Sequence, residues 1–384
     1  MTYTAEDTLR GLAGRLALGD TVLVKGAVES RMEQVVAGLL ADPTEAARLL
    51  VRQTAGWSKV RLLRPGRPTW LEVDLEAIAH NVRRVVDMVG PKVAVLAVLK
   101  ADGYGHGAVQ VSRAALSSGA DCLAVAVPEE AYELRQAGLD CSILVFGLIQ
   151  PSEAWKPVTA GLEQTVCTPE LLEALDQEAR KRGVTVGVHI KVDTGMGRIG
   201  LAPDDVVEFA RKVTACRNVE LKGVYSHFSC ADETDKEFSR AQIRRFESVL
   251  GALAVTGIEA PLRHMANSAG VLDLPEAHYN MVRPGIIIYG LYPSSEVSHS
   301  VDLRPAMSFV TRICQLKEVP SGTPIGYGAT YRTAAERTRV ATIPAGYADG
   351  YRRLLSSKGH VIVRGVRVPL LGRVAMDMCM LDVT

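Results

Sequence analysis

The sequence predicts an α/β fold: a parallel (β/α)8 TIM-type barrel followed by a β-rich C-terminal domain. Three observations predict it. Eight apolar, β-branched segments recur between Val93 and Arg283, and stretches of helical periodicity separate most of them, which is how a closed parallel barrel reads in sequence. No GxGxxG follows the first segment, which speaks against a doubly wound dinucleotide-binding sheet. After Arg304 the helical periodicity ends, Val, Ile, Gly and Pro dominate, and "HVIVRGVRVPLLGRV" alternates as a hairpin does.

The elements follow in order. Within residues 1–42, "DTVLVKG" (Asp20–Gly26) reads as a strand and "ESRMEQVVAGLLAD" (Glu29–Asp42) as an amphipathic helix. One strand and one helix cannot bury their own faces, so this piece is an appendage of something larger. Residues 43–68 read as a linker that ends in the basic, proline-containing "SKVRLLRPGRP". The barrel is expected over 69–304. Its strands are expected at Val93–Lys100, Cys122–Val127, Ile143–Gly147, Gln164–Thr168, Val184–Val192, Val219–His227, Leu262–Ala266 and Met281–Arg283. Two helical segments, "PEEAYELRQAGL" and "PELLEALDQEARKRG", open with proline at the first helical position, where its missing N–H costs nothing. The last connection, near Ala269–Leu274, is short and weakly helical. The β domain takes 305–384.

Composition narrows the function. Lys and Arg number 44 against 43 Asp and Glu, so there is no field to draw nucleic acid or an anionic membrane. No apolar run approaches the ~20 residues that span a bilayer, and the N-terminus lacks a secretory pattern. Seven cysteines, scattered and without a CxxC pair, fit a reduced, cytoplasmic setting with structural thiols. No HExxH or Cys/His spacing supports a metal, and no G-x-S-x-G surrounds Ser300.

Chemistry in such barrels sits at the C-terminal strand ends. Five strands end in polar groups: Lys100; then Lys191, Asp193 and Arg198; His227; His264, Asn267 and Ser268; and Arg283. A lysine delivered by the apolar run Val93–Leu99 loses solvation, which lowers its pKa and frees an amine to condense with a carbonyl. A surface lysine after a buried strand is the plainer alternative. The glycines at 103, 105 and 107 allow close backbone approach, and Tyr104 offers a hydroxyl. "RPGI" (Arg283–Ile286) follows strand eight, where barrels often hold a phosphate on backbone N–H groups. An imine-forming lysine and a phosphate cradle on one barrel face point to pyridoxal phosphate.

The series "AVLKADGYGHG", "HIKVDTGMGRIG", "YSHF", "HMANSAG", "VRPGIIIYG", "IGYGATY", "IPAGYADG" and "GRVAMDM" resembles, in order, the motifs of the alanine racemase family, from about Pro68 onward. The resemblance implies a pyridoxal 5'-phosphate-dependent isomerase that interconverts L- and D-alanine for peptidoglycan synthesis. It also implies a homodimer in which each active site takes residues from both subunits. By position, Lys100 would hold the cofactor and act as one of two acid–base groups. Tyr327, from the partner copy, would be the other. Tyr104, Ser268, Gly285 and Ile286 would bind the phosphate. Arg283 would face the pyridine nitrogen, with His227 linking it to Tyr327. Arg198 would meet the cofactor's phenolic oxygen and the substrate carboxylate, oriented by a carbamylated Lys191. Met376 would contact substrate. His106, Asp349 and Asp377 read as structural.

The resemblance leaves alternatives: racemisation of another small amino acid such as serine, decarboxylation, or a non-catalytic pyridoxal-phosphate carrier. Arg283 argues against a decarboxylase, which usually places an acid at the ring nitrogen, and Tyr327 argues against a carrier. The chain stops at Thr384, soon after "MDM", so the β domain is expected to be incomplete. "GDTVLVKGAVESRMEQVVAGLL" resembles the C-terminal tail of the Mur ligase that adds D-alanyl-D-alanine, which suggests part of a ligase–racemase fusion.

Overall fold

A computed structural model describes residues 68–384, 32–40 and 59–63, together with Leu9, Leu12, Arg15, Leu16, Val22 and Val24. The strand expected at Asp20–Gly26 therefore lies almost wholly outside the described residues. The following helix is present as Met32–Leu39. Strand β1 (Lys59–Leu63) falls inside the stretch expected to be a linker.

The chain forms two units, one comprising Asp74–Ala306 and the other Val60–Val73 with Met307–Thr384. Strand β2 (Thr69–Asp74) starts where the barrel was expected to begin, yet it pairs antiparallel with β11 (Met307–Thr311) of the β-rich unit. The sequence hides this crossing, because a short alternating strand looks the same whichever sheet it joins.

The first unit is a closed barrel of eight parallel strands. They are β3 (Ala94–Val98), β4 (Cys122–Val125), β5 (Ile143–Val145), β6 (Glu163–Val166), β7 (Val186–Lys191), β8 (Val219–Tyr225), β9 (Leu262–His264) and β10 (Met281–Val282), which closes on β3. All eight expected segments contain strands, each ending earlier than expected, while β6 starts one residue sooner, at Glu163. β3 and β4 are almost wholly buried apolar runs, as strands covered on both faces must be.

Helices clothe the barrel. Leu75–Val89 starts where Asp74 accepts from the N–H groups of Glu76 and Ala77, both at 3.0 Å, capping the first turn. Its apolar stripe, including Ile78, Val82 and Val85, is buried. Pro128–Gln136 and Pro169–Arg182 begin at the expected prolines, and the latter stops at Gly183 in the left-handed conformation. The weakly helical last connection is the short helix Ser268–Asp273. Gly290 permits a close crossing: at φ 86°, a Cβ there would sit 1.9 Å from the Arg304 carbonyl oxygen.

In the second unit, β12 (Gln315–Pro320), β15 (Arg337–Ile343), β16 (His360–Val363), β17 (Val366–Leu371) and β18 (Cys379–Asp382) form a sheet of order β12-β15-β18-β17-β16. A two-stranded ribbon joins β13 (Pro324–Ile325) to β14 (Tyr331–Arg332). The expected hairpin is β16–β17. Val363 pairs with Val366 across Arg364 and Gly365, whose φ values of 50° and 81° suit a tight two-residue turn. Ala341, Ile343, Leu370 and Leu381 are among the residues of its core.

Candidate active site

The barrel contains a pocket of about 490 Å³, within the usual size for a small-molecule site. Lys100, Tyr104 and Lys191 line it, as do Arg198 and His227. So do Ser268, Arg283, Gly285 and Ile286. With Asn267, which also lines it, ten of the residues singled out from sequence meet in one cavity of one unit.

Lys100 does not end a strand. β3 stops at Val98, and Lys100 opens a turn in which Ala101, Asp102, Gly103 and Tyr104 all have φ between 52° and 59°. This is left-handed helical backbone, which costs about 1–2 kcal/mol at each residue bearing a Cβ. Side chains over-determine it. Glu130 Oε1 accepts from Ala101 N–H at 2.6 Å, while Oε2 of the same carboxylate accepts from Ala126 N–H at 2.7 Å, joining the turn to the end of β4. Asp102 Oδ1 accepts from Ala108 N–H at 2.7 Å. His106 Nδ1 lies 3.0 Å from the Tyr104 carbonyl oxygen, so this histidine is structural. Burial lowers the pKa of Lys100, the charge of Arg198 lowers it further, and Glu130 opposes the change.

The expected phosphate cradle has a built form. Gly285 admits the Tyr104 hydroxyl: a Cβ at position 285 would lie 2.7 Å from Tyr104 Oη. The Gly285 N–H, expected to bind the phosphate, donates here to Ser268 Oγ at 2.9 Å. Ile286 opens a short 3-10 turn, so its own N–H has no acceptor within that turn.

Arg283 is buried just after β10. Nη1 donates to His264 Nδ1 at 3.0 Å. Nη2 donates to the carbonyl oxygens of Ser226 at 2.7 Å and Met265 at 3.0 Å, and lies 3.2 Å from His227 Nδ1. Burial brings its pKa down to about 10, which still leaves it charged at neutral pH. Burial and then the Arg283 charge push His227 and His264 well below the usual histidine range, so both are neutral. Because His227 Nδ1 accepts from Arg283, its proton sits on Nε2. Lys191 is buried, and desolvation, then Arg283 and Arg198, hold its pKa well below that of an ordinary amine.

Tyr327 and Met376 belong to the second unit. Tyr327 opens the turn Tyr327–Ala329, between Gly326 and Gly328. The two side chains are 72% and 57% exposed. Asp349 Oδ2 accepts from Gly346 N–H at 3.0 Å, the turn-capping role expected of it.

Sequence reasoning missed Glu130, Tyr225, His189 and Glu163. Tyr225 lines the pocket and hydrogen-bonds Thr165 at 2.7 Å. The signal for His189 was present, since a histidine in the middle of "VGVHIK" breaks an otherwise apolar strand that ends at Lys191.

The sequence profile described as "Alanine racemase, N-terminal domain" matches residues 73–293, and the one described as "Alanine racemase, C-terminal domain" matches 306–384. The chain belongs to the alanine racemase family. It is 49% identical over 319 residues to an alanine racemase of Desulforamulus reducens, covering 82% of this chain and 86% of that one. With an alanine racemase of Methanococcus maripaludis it shares 46%, over 83% and 85%. Among solved structures, the alanine racemase of Bacillus anthracis with bound L-Ala-P superposes with a TM-score of 0.77 at 37% identity, covering 84% of this chain and 83% of that one. A histidine racemase of Leuconostoc mesenteroides gives 0.77 at 29%, over 84% and 86%. Alanine racemase membership agrees with the observed architecture, a barrel followed by a β-rich unit.

Proposed function

We propose that this protein interconverts L- and D-alanine, with pyridoxal phosphate held in the barrel pocket by Lys100. The observation that carries this reading is the convergence of a lowered-pKa amine, a charged buried guanidinium and the Tyr104–Ser268–Gly285–Ile286 cradle in one cavity. Members of the family depend on pyridoxal phosphate. The donor set fits it: a hydroxyl pair and a backbone N–H for a phosphate, an amine for a carbonyl, and a guanidinium for a ring nitrogen. When bound, the cofactor supplies an electron sink that makes the α-hydrogen of an amino acid acidic.

The chain's own residues do the rest. Inverting a stereocentre requires a proton to leave one face and another to arrive at the opposite face, so two groups must flank the carbon. Lys100 serves one face, because burial and Arg198 give it a neutral amine nearer physiological pH. Tyr327 serves the other, in the pocket of a second copy of the chain. His227 offers its Nε2–H to that phenol, orienting its oxygen toward the reacting carbon. Arg283 can only donate, so it leaves the ring nitrogen unprotonated and limits side reactions of the substrate. Arg198 receives the substrate carboxylate, Lys191 as its carbamate orients Arg198, and Met376 closes on the substrate. The seven cysteines are unpaired, which suits a reducing, cytoplasmic location.

Turnover of L-alanine, L-serine and L-histidine, followed by chiral analysis of the product, tests the reading. Racemisation of alanine well above the others is expected. Preference for serine or histidine would reassign the substrate, and cofactor binding without turnover would favour a carrier.

A further inference from the structure

Arg283 is 3% exposed, and no carboxylate among the described residues forms an ion pair with it. Its nearest ionisable neighbours include two more basic side chains, Lys191 and Arg198. A buried guanidinium in that company needs a counter-charge. A file of buried side chains leads to one. Arg283 Nη1 is 3.0 Å from His264 Nδ1, His264 Nε2 is 2.9 Å from His189 Nδ1, and His189 Nε2 is 2.8 Å from Glu163 Oε2. Both imidazoles are fully buried.

The direction of this file is forced from its ends. A guanidinium has no acceptor, so Arg283 must donate and His264 Nδ1 must be bare. His264 then carries its proton on Nε2 and donates to His189 Nδ1. His189 in turn carries its proton on Nε2 and donates to the Glu163 carboxylate. Reversing the first link would set two donors against each other at Arg283, reversing the second would leave His264 with no proton on either nitrogen, and reversing the third would need a donor on the ionised Glu163 carboxylate. We propose that Glu163, His189 and His264 are positioning residues for the racemisation site, orienting Arg283 and balancing its charge through one directional hydrogen-bond chain. This inference rests on the assignment of Arg283 to the cofactor's ring nitrogen.

The other groups around the chain are consistent with it. Glu163 also receives the Ser142 hydroxyl and feels the charge of Lys222. Burial pushes the Glu163 carboxyl up, but His189 and Ser142 bring it below the usual range, so it is ionised. Cys122, also near Glu163, is held as a thiol by burial. Around Arg283 stand Tyr225, His227, Lys191 and Arg198. Burial raises the Tyr225 pKa to about 12, so this phenol is un-ionised. The counter-charges left to Arg283 are the Lys191 carbamate of the proposed function and, through the imidazoles, the Glu163 carboxylate.

Histidine nitrogen NMR on the cofactor-free protein tests the direction directly. Both His189 and His264 are expected neutral with the proton on Nε2. A proton on Nδ1 of either, or a charged His264, overturns the proposal. Glu163→Gln keeps an acceptor for His189 and removes the charge. In the holoenzyme this change is expected to leave cofactor content and Tm nearly unaltered. It should move the basic limb of kcat/KM, and the pH midpoint of the bound cofactor's absorption, downward by about half to one unit. Glu163→Leu removes the acceptor as well and should lower kcat about tenfold or more, with KM little changed. Unmoved pH profiles in Glu163→Gln would show a merely structural network and sink the idea. Failure of the cofactor assignment is separately visible: borohydride reduction would then label a residue other than Lys100, while the NMR result on cofactor-free protein would stand.

Discussion

Lys191 holds its Nζ 4.7 Å from the ring centre of Tyr225, and the Arg283 guanidinium lies 5.2 Å from the same ring. Two basic side chains thus lie against one aromatic ring in a buried site. One of them must give way, and a guanidinium cannot lose its proton near neutrality. Lys191 is therefore the neutral member, and a neutral buried amine is the form that adds carbon dioxide. The amine nitrogen bonds to the carbon, a proton leaves to solvent, and the resulting carbamate is an anion beside two arginines. Intact-protein mass spectrometry under non-acidic conditions should show the mass of one added carbon dioxide, absent in Lys191→Ala. Because only the neutral amine reacts, the adduct should vanish on acidification. An unmodified Lys191 in bicarbonate buffer would refute this.

The lowered pKa of Lys100 makes a second measurable claim. Its amine should react with pyridoxal phosphate in cofactor-free protein along a pH curve whose midpoint lies below the ordinary 10.5. Glu130 works against the shift, so Glu130→Gln should move that midpoint lower still, because it removes a negative charge that favours the protonated amine. The linkage to stability has a definite sign. Between the folded and unfolded pKa values the unfolded chain binds the extra proton, so Lys100 adds a stability that grows as pH rises through that window. A Lys100→Met protein should lose this slope. A midpoint at or above 10.5 would contradict the burial argument.

The barrel was legible because most of its strands are apolar runs with a helix signal after them, and Lys100, Lys191, Arg198, His227, Ser268 and Arg283 lie at or just beyond the ends of those runs. Long-range connections were not. Glu130 looks like an ordinary residue of the first turn of Pro128–Gln136, and nothing local shows that its carboxylate reaches back 29 positions to Ala101. Glu163, His189 and His264 come from β6, β7 and β9, and they meet only because closure turns alternate side chains inward. β2 was assigned to the wrong unit for a related reason: its partner β11 lies more than two hundred residues later. The left-handed turn after Lys100 was half visible, since Gly103, Gly105 and Gly107 announce positive φ but Ala101 and Asp102 do not.

The approach of Tyr104 to Gly285 yields a double-mutant test. Gly285→Ala places a Cβ 2.7 Å from Tyr104 Oη, so the hydroxyl must move and the cradle loses a donor. Affinity for pyridoxal phosphate should fall about tenfold or more, in line with the loss of a charge-assisted hydrogen bond. In a Tyr104→Phe background the clashing oxygen is already gone, and the same substitution should cost clearly less. Equal losses in the two backgrounds would show that the two residues act independently.

Tyr327 stands 72% exposed on its own chain, between two glycines at φ 72° and 73° that let the backbone turn tightly on either side of it. An apolar ring so exposed suits a place in a second copy of the chain, where its phenol would complete the pocket opposite Lys100. Tyr327→Phe keeps the ring and removes the proton carrier, so binding and fold should persist while one direction of proton transfer fails. Loss of a positioned acid–base group costs about 10²–10⁴ in rate. The decisive measurement is exchange of the α-hydrogen with solvent deuterium, run separately on L- and D-alanine. Exchange from one enantiomer should continue through Lys100, and exchange from the other should drop by that factor. Lys100→Ala, supplied with free methylamine, should show the opposite asymmetry. Equal, small losses for both enantiomers in Tyr327→Phe would mean that the phenol does not face the reacting carbon.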